Sequence, residues 1–180
     1  MIELGKEALD ALANGIKFNS GLKRLELSYC MIQDKHAAYI AKIISEQGEL
    51  RESRIWQESL RQSKLSGKDK LDQMISEVSK VVGLTDFNFR HNFLGPIFMS
   101  KLASALKNDQ YCRSIDLQGN KITEQMVDKE FLACLYANES VMNLDLRNND
   151  GISKETLKKV ALSLLKNVAL LKERKQPCLK

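Results

Sequence analysis

A spaced pattern of apolar residues recurs four times in this chain and limits the folds open to it. Each copy follows the template L-x-x-L-x-L-x-x-N/C-x-L/I, whose alternating apolar residues predict a short strand with one buried face. The copies begin at Leu22, Leu84, Cys112 and Val141, and the last carries one extra residue, Gly151. Because one copy cannot bury its own apolar face, neighbouring copies must pack side by side.

The polar position of the template is occupied by Cys30, Asn92, Asn120 and Asn149. An asparagine side chain carries both donors and an acceptor, so it can satisfy the backbone where the chain leaves a strand and turns. We therefore expect a structural ladder of these four residues, with Asn120 buried and bonded to turn backbone. The asparagines are spaced by 28 and 29 residues, with a helical stretch after each strand. This spacing resembles that of the ribonuclease-inhibitor type of leucine-rich repeat.

The repeat predicts an α/β leucine-rich-repeat solenoid that forms a single domain over residues 1–180. Parallel strands are expected on its concave face and helices on its convex face. The strands are predicted near residues 24–28, 86–90, 114–118 and 143–147. Residues 5–18 predict a helix that precedes the first strand.

Residues 154–180 predict a basic capping helix and tail at the C-terminal side of the repeats. A solenoid must protect its last repeat, so we expect the apolar side chains of this helix to close the core. The set comprises Leu157, Val160, Ala161, Leu164 and Val168. Six basic residues of this segment would remain free to bind an acidic partner, the alternative being that they only keep the helix soluble: Lys158, Lys159, Lys166, Lys172, Arg174 and Lys175.

Residues 45–83 contain no copy of the template. The 62 residues from Cys30 to Asn92 exceed the roughly 56 of two ordinary repeats. We interpret the segment as a helical insertion that replaces one lost strand. The place where the stacking of strands is expected to break, if it breaks, is between the first and second strands. Trp56 is interpreted as a core anchor of this insertion, the alternative being an exposed contact residue.

The segment Trp56–Arg61, with the sequence W-Q-E-S-L-R, resembles the W-x-E-S-L-R segment of the family of the centrosomal protein of 78 kDa. In that family too, the segment follows a repeat helix and precedes a helical insertion and a further strand. Ile115–Gln118 and Leu144–Asn149 are similar to the family's last two repeat strands. The resemblance covers residues 37–170 and makes Trp56, Glu58 and Arg61 candidate contact residues.

The resemblance implies a non-catalytic scaffold at centrioles or basal bodies, with a role in cilium assembly. It implies centriolar or ubiquitin-ligase proteins as partners and a location in the cytoplasm or cytoskeleton, at the centrosome. The 180 residues lack the long coiled coil of the family, so functions that need the coiled coil are not expected of them. The alternative is a regulator of a small GTPase, because GTPase-activating proteins of the Ran type use the same kind of repeat.

The outward-facing residues of the strands are the candidate partner-binding site, because solenoids bind partners on the concave face. Stacked strands would arrange these side chains in rows, of which the middle row is largely acidic and the next contains two arginines. The candidates are Arg24, Glu26, Asp86, Asn88, Arg90, Asp116, Gln118, Asp145 and Arg147. Arginines in such a setting are common hot spots of protein recognition.

No catalytic, cofactor, metal or small-molecule site is expected from the sequence. It contains no phosphate-binding, dinucleotide-binding or metalloprotease motif, and its two histidines, His36 and His91, are assigned a structural and a loop position. No apolar run is long enough to span a membrane, and no signal peptide begins the chain. Nucleic-acid binding by the basic C-terminal helix is disfavoured, since aromatic stacking residues are missing there.

Four cysteines are present, and no two of them form a C-x-x-C motif. We therefore expect Cys30, Cys112 and Cys134 to be reduced structural thiols. Asn138–Ser140 forms a glycosylation sequon, but it stands where such repeats carry N-x-S after a helix. We interpret it as a structural turn.

Overall fold

The computed structural model describes residues 3–62 and 83–175. Its four strands form one parallel sheet whose spatial order follows the chain order. The strands are β1 (Arg24–Glu26), β2 (Asp86–Asn88), β3 (Ser114–Asp116) and β4 (Asn143–Asp145). All four lie within the predicted ranges, and each is two residues shorter at its C-terminal end.

Helical segments precede β1 and follow every strand. They are α1 (Lys6–Ile16), α2 (Ala37–Gln62), α3 (Pro96–Leu106), α4 (Glu124–Met126, Val127–Phe131 and Leu132–Ala137 in succession) and α5 (Lys154–Lys175). The middle piece of α4 is a π-helix, and a short 3-10 turn, Asp34–His36, leads into α2. The described part of the chain is thus a mixed α/β structure around one parallel sheet. No helix in it is both long and apolar enough to cross a membrane.

One face of the sheet forms the core together with the helices. The central strand residues align in register as Leu25, Phe87, Ile115 and Leu144, and all four are buried. Phe89 packs edge-on against Phe98 of α3, with ring centroids 5.9 Å apart. Because such sites are densely packed, we estimate that shortening a core isoleucine to alanine costs about 2–5 kcal/mol.

β1 pairs directly with β2, so the sheet is continuous where a break was expected. Arg24 lies opposite Asp86, and Glu26 lies opposite Asn88. The pairing continues beyond the strands, since the backbone N–H of Tyr29 donates to the carbonyl of Arg90 at 3.1 Å. The expectation of a break between the first and second strands is therefore wrong.

The additional residues between these strands are inserted at the turn that leads from a helix into the next strand. In a later repeat, Asn138 follows helix α4 and accepts a hydrogen bond from the N–H of Val141, three residues further on. Gln47 of α2 accepts the equivalent bond from the N–H of Leu84 at 3.0 Å, although 37 residues separate them. The equivalent bond spans 37 residues here and 3 residues in the later repeat, so the insertion is 34 residues long.

This position corrects the interpretation of a lost strand. Without the 34 inserted residues, the 62 residues between Cys30 and Asn92 become 28, the ordinary repeat length. A single repeat therefore connects β1 to β2, and the last turn of this repeat contains the insertion. The insertion was expected to begin at residue 45, but α2 continues without a break to Gln62. The remaining part of the predicted insertion, residues 63–82, lies outside the described residues.

The π-helical piece of α4 explains the irregular spacing of the third repeat. Asn120 and Asn149 are 29 residues apart, one more than Asn92 and Asn120. A π-turn contains one more residue than an α-turn, so it takes up the extra residue without displacing the buried face. Val127 and Phe131 at its two ends are both buried.

Helix α5 closes the core less completely than predicted. Val160 is 4% exposed, whereas Leu157 is 37% exposed and Ala161 is exposed. Lys159 faces α4, where its Nζ lies 3.7 Å from an Asp128 carboxylate oxygen. Leu164 is half-buried and packs against the core, and Val168 is half-buried. The prediction that this entire apolar set is buried is therefore wrong.

Candidate functional site

The polar face of the sheet, here called the open face, carries all the outward side chains that were predicted to bind a partner. The strand register brings them into rows across the four strands. The first row is Arg24, Asp86, Ser114 and Asn143; the second is Glu26, Asn88, Asp116 and Asp145; the third, just beyond the strands, is Ser28, Arg90, Gln118 and Arg147. Each of these twelve side chains is exposed or half-buried, so the rows predicted from the repeat are confirmed.

The last repeat carries an ion pair on the open face, between Arg147 and Asp145. The guanidinium of Arg147 donates to both carboxylate oxygens of Asp145, with Nε distances of 3.0 and 2.9 Å. These hydrogen bonds are the main cause of the lowered pKa of Asp145, to which the charge of Arg90 also contributes. The same contact raises the pKa of Arg147. Arg147 is 74% exposed in its side chain and remains accessible to a partner.

The second row is held in place by its own backbone. Asn88, Asp116 and Asp145 each accept a hydrogen bond from the N–H two residues further along, at 3.0–3.1 Å. Asn88 also donates from Nδ2 to Glu26 at 2.9 Å. Side chains that are fixed in this way lose less conformational entropy when a partner binds, which favours recognition.

The asparagine ladder lies behind the C-terminal ends of the strands. Nδ2 of Asn120 donates to the carbonyls of Phe89 and Leu117 at 3.0 Å each, and its Oδ1 accepts from the N–H of Leu94 at 3.1 Å. Asn120 is 7% exposed, as predicted. Asn92 and Asn149 make equivalent bonds to the repeat before them. Each asparagine therefore joins two repeats.

Cys30 stands at the ladder position of the first repeat and is half-buried. Its thiol lies 3.3 Å from the carbonyl of Ser28, and its N–H donates to Oδ1 of Asn92 at 3.1 Å. Cys30, Cys112 and Cys134 are free thiols, as predicted, while Cys178 lies outside the described residues. Burial strongly raises the pKa of the Cys112 thiol, which keeps it protonated and structural.

Acidic residues of two repeats bind the start of the helix in the next repeat. The sequence analysis missed this feature. Asp34 accepts hydrogen bonds from the N–H groups of Gly95, Ile97 and Phe98 at 2.7–2.9 Å and so caps α3. The Glu124 carboxylate likewise accepts hydrogen bonds from the N–H and the hydroxyl of Ser153, the residue directly before α5. Both acids follow the last apolar residue of the template by two positions, and that shared position was the available signal.

A second missed feature is the buried polar cluster beneath the insertion. Arg51 of α2 is 1% exposed, and its Nη2 donates to the carbonyl of Leu84 at 2.5 Å. Its guanidinium lies 4.8 Å from the ring centre of Tyr111. Burial lowers the pKa of Arg51, and the charge of Asp109 acts in the opposite direction. Gln47 and Arg51 continue the helical spacing of the buried Ile40 and Ile44, so periodicity could have identified them.

The insertion residues have a different environment from the one expected. Trp56 is 65% exposed, so its interpretation as a core anchor is wrong, while the contact-residue alternative stays a prediction. Glu58 is half-buried on the same helix. Arg61 lies in the last turn of α2, and its side chain is outside the described part of the structure.

Both histidines lie in the turns after strands. His36 is 6% exposed, and its Nδ1 accepts a hydrogen bond from the N–H of Gln33 at 3.3 Å, while burial lowers its pKa. This is the structural role that was predicted. His91 stacks on Tyr29, with ring centroids 4.5 Å apart and planes inclined by 17°.

The sequon asparagine also has a structural role. Asn138 is 3% exposed, and its amide donates to the carbonyls of Leu106 and Asp109 at 2.9 Å. Its Oδ1 accepts from the N–H groups of Ser140 and Val141. The side chain is fully engaged, in agreement with its interpretation as a turn residue.

Comparison with known proteins identifies relatives in sequence and in fold. No protein-family model matches the chain. The centrosomal protein of 78 kDa from Mus musculus is 28% identical over 91% of this chain, and its Homo sapiens counterpart is 27% identical over 91%. The Cep78 homolog of Drosophila melanogaster is 25% identical over 84%. The chain spans 17–22% of the length of these relatives.

Two solved structures share the fold. A Caenorhabditis elegans tropomodulin C-terminal domain superposes with a TM-score of 0.65 at 16% identity and covers 96% of this chain and 82% of its own. The leiomodin-1 actin-binding site 2 superposes with a TM-score of 0.69 at 13% identity, over 96% and 79% of the two chains. At such identities the likeness concerns the fold alone.

Proposed function

Since the chain is related over most of its length to the centrosomal proteins of 78 kDa, as the Trp56 segment indicated, we propose that it is a non-catalytic protein-interaction module of the centrosome. The similarity to these relatives is the observation that carries the proposal. Within the centrosome, the finer role is that of a scaffold at centrioles or basal bodies during cilium assembly. The four repeats would form a leucine-rich-repeat solenoid with the open face on its concave side.

The open face supplies the chemistry for such a role. Its acidic second row and the arginines of its third row present alternating charges at fixed positions. Charge patterns of this kind favour one partner over others and speed the encounter with it. Arg90 and Arg147 are the proposed energetic centres, because arginine is enriched among the residues that dominate binding energy.

The insertion supplies a second proposed contact. Trp56, Glu58 and Arg61 lie on the part of α2 that extends past Gln47, and an exposed tryptophan contributes a large apolar contact area. The partners would be centriolar or ubiquitin-ligase proteins. The comparisons offer no observation that favours the alternative of a small-GTPase regulator.

The proposal is tested by expressing the fluorescently tagged 180-residue chain in ciliated cells beside a centrosome marker. We expect enrichment at the centrosome that falls to the cytoplasmic level when Arg90 and Arg147 are both replaced by Glu. The matched control, Lys154→Glu with Lys158→Glu, reverses two charges on exposed positions of α5 and should leave enrichment unchanged. Absence of enrichment for the parent chain, with unfolding curves showing that it is folded, would contradict the proposal.

A further inference from the structure

The loops that follow β1 and β2 carry bulky side chains at positions where the fold favours small ones. The residue before each ladder position has a left-handed backbone, with φ of 56° at Tyr29, 53° at His91, 67° at Gly119 and 56° at Asn148. Glycine, asparagine and histidine adopt this conformation comparatively often, whereas a bulky residue such as Tyr29 there is an outlier. Folding alone therefore does not account for Tyr29, and such strain accumulates at functional sites.

The two rings form a flat platform at the edge of the molecule. Tyr29 stacks on His91 and keeps 44% of its surface exposed. The third repeat makes room for this stack, because a Cβ atom on Gly119 would lie 2.5 Å from Nδ1 of His91. The platform thus depends on three consecutive repeats.

A cleft of about 560 Å³, here called the rim cleft, lies in the turns that follow β1, β2 and β3 and is lined by Met31, Gln33, Lys35, Phe93, Pro96 and Lys121, among others. Met31 and Phe93 of this lining follow Tyr29 and His91 by two residues in the sequence. Phe93 is 39% exposed and Ile97, next to Pro96, is 53% exposed. Exposed apolar side chains of this size, grouped beside a cleft, mark interaction sites.

The charge of the rim cleft selects its occupant. Lys35 and Lys121 are exposed, and neither forms a salt bridge with a described residue. The carboxylate of Asp34 also lines the cleft, but the three N–H groups at the start of α3 already occupy it. Nζ of Lys121 lies 5.0 Å from the centre of the Phe93 ring, so a cation stands directly beside the apolar floor.

We propose that the rim cleft binds an acidic peptide segment of a partner protein. An apolar side chain of the peptide fills the space between Met31, Phe93 and Pro96, and neighbouring carboxylates pair with Lys35 and Lys121. The Tyr29 ring supports the peptide at the edge of the cleft. Single-stranded nucleic acid is the less favoured occupant, because a phosphate backbone calls for a longer row of cations than these two lysines. This site is separate from the open face.

The test selects a phage-displayed library of random dodecapeptides on the folded 180-residue chain. Enriched peptides are synthesised and their affinity is measured by fluorescence anisotropy. We expect acidic residues next to a large apolar residue, and binding at least 10-fold weaker for the Lys35→Glu, Lys121→Glu double variant. Affinity should also fall as salt rises, because the paired charges are exposed.

Tyr29→Gly separates a binding role from a structural one. Glycine suits the left-handed backbone, so this variant should retain or raise the melting temperature while it weakens peptide binding. Lys154→Glu with Lys158→Glu, on exposed positions of α5, is the matched control and should leave peptide binding unchanged. The proposal is overturned by enriched peptides that lack acidic residues, by unchanged affinity in the double lysine variant, or by a deoxythymidine dodecamer that binds the chain more tightly than the peptides do.

Discussion

Gln47 and Leu84 are joined by a 3.0 Å hydrogen bond that spans the whole insertion. The amide Nε2 of Gln47 also donates to the carbonyl of Ile16 at 2.8 Å, so one side chain connects the turn before β1 to the start of β2. In the third repeat, Asn138 makes this pair of contacts from the turn that ends α4. Glutamine has one more methylene group than asparagine, which lets it reach the same partners from a helix that continues.

Replacing Gln47 by Leu should destabilise the protein, because the buried N–H of Leu84 would lose its partner, whereas the carbonyl of Ile16 would keep the N–H of Asn19. We expect about 1–3 kcal/mol for the unpaired N–H, measured by urea unfolding. Gln57→Leu, on an exposed position of the same helix, is the control. Equal unfolding midpoints for the two variants would show that Gln47 does not replace the usual turn asparagine.

Replacing Asn120 by Leu should also be costly. Its Oδ1 accepts from the buried N–H of Leu94, which would lose this partner, whereas the carbonyls of Phe89 and Leu117 would keep the amides of Asn92 and Asn149. A loss of about 1–3 kcal/mol for the unpaired N–H is expected in thermal or urea unfolding. Asn143→Leu, exposed on the open face, is the matched control and should unfold near the parent. A melting temperature for Asn120→Leu equal to that of the parent would contradict the ladder.

The sequence predicted the sheet because its pattern is local and repeated. Alternation at Leu25 and Leu27 defines the buried face, and the shared template places Arg24 beside Asp86 without knowledge of the structure. The same template predicted the rows of the open face and the burial of Asn120. Each of these predictions needed only one repeat and its neighbour.

The insertion could not be placed in the same way, because its position depends on a contact between residues 37 apart. The 62 residues between Cys30 and Asn92 are compatible with two repeats that lack one strand or with one long repeat, and only the Gln47 bond to Leu84 decides between them. Trp56 was misjudged for a related reason: an apolar residue in a helix is buried only where another element covers it. The stacking of Tyr29 on His91 likewise joins two repeats whose sequences show no link.

Replacing Gly119 by Ala should reveal how tightly the third repeat packs against His91. The new Cβ would meet the imidazole at 2.5 Å on a backbone with φ of 67°, so crowding adds to backbone strain. We expect a loss of about 1–3 kcal/mol of unfolding free energy. Gly151→Ala is the control, because φ there is 79° but no atom lies within 4 Å of the added carbon.

A second substitution isolates the steric part of this effect. With His91→Ala in the background, Gly119→Ala should cost no more than Gly151→Ala, since only backbone strain remains. A double-mutant cycle of unfolding free energies measures the coupling between the two sites. A coupling energy of zero would mean that the imidazole moves away freely and that the platform is not fixed.

The link between Glu124 and α5 should depend on pH. The Glu124 carboxylate accepts hydrogen bonds from the N–H and hydroxyl of Ser153 at 2.7 and 2.8 Å and from the hydroxyl of Thr156 at 3.0 Å. These bonds favour the charged form and hold the pKa of Glu124 below its ordinary value of 4.5. A lowered folded-state pKa stabilises the native chain above pH 4.5, and this contribution is lost as the pH falls through the folded-state pKa.

Glu124→Gln should therefore lower the melting temperature at pH 7 and differ progressively less from the parent as the pH falls below 4.5. Glu130→Gln, exposed further along α4, is the control and should follow the parent at every pH. Melting temperatures are measured by circular dichroism from pH 3 to pH 7 for the three proteins. The expectation fails if the melting temperatures of Glu124→Gln and the parent differ as much at pH 3 as at pH 7. In that case the charge of Glu124 contributes nothing, and only the shape of its side chain holds Ser153 in place.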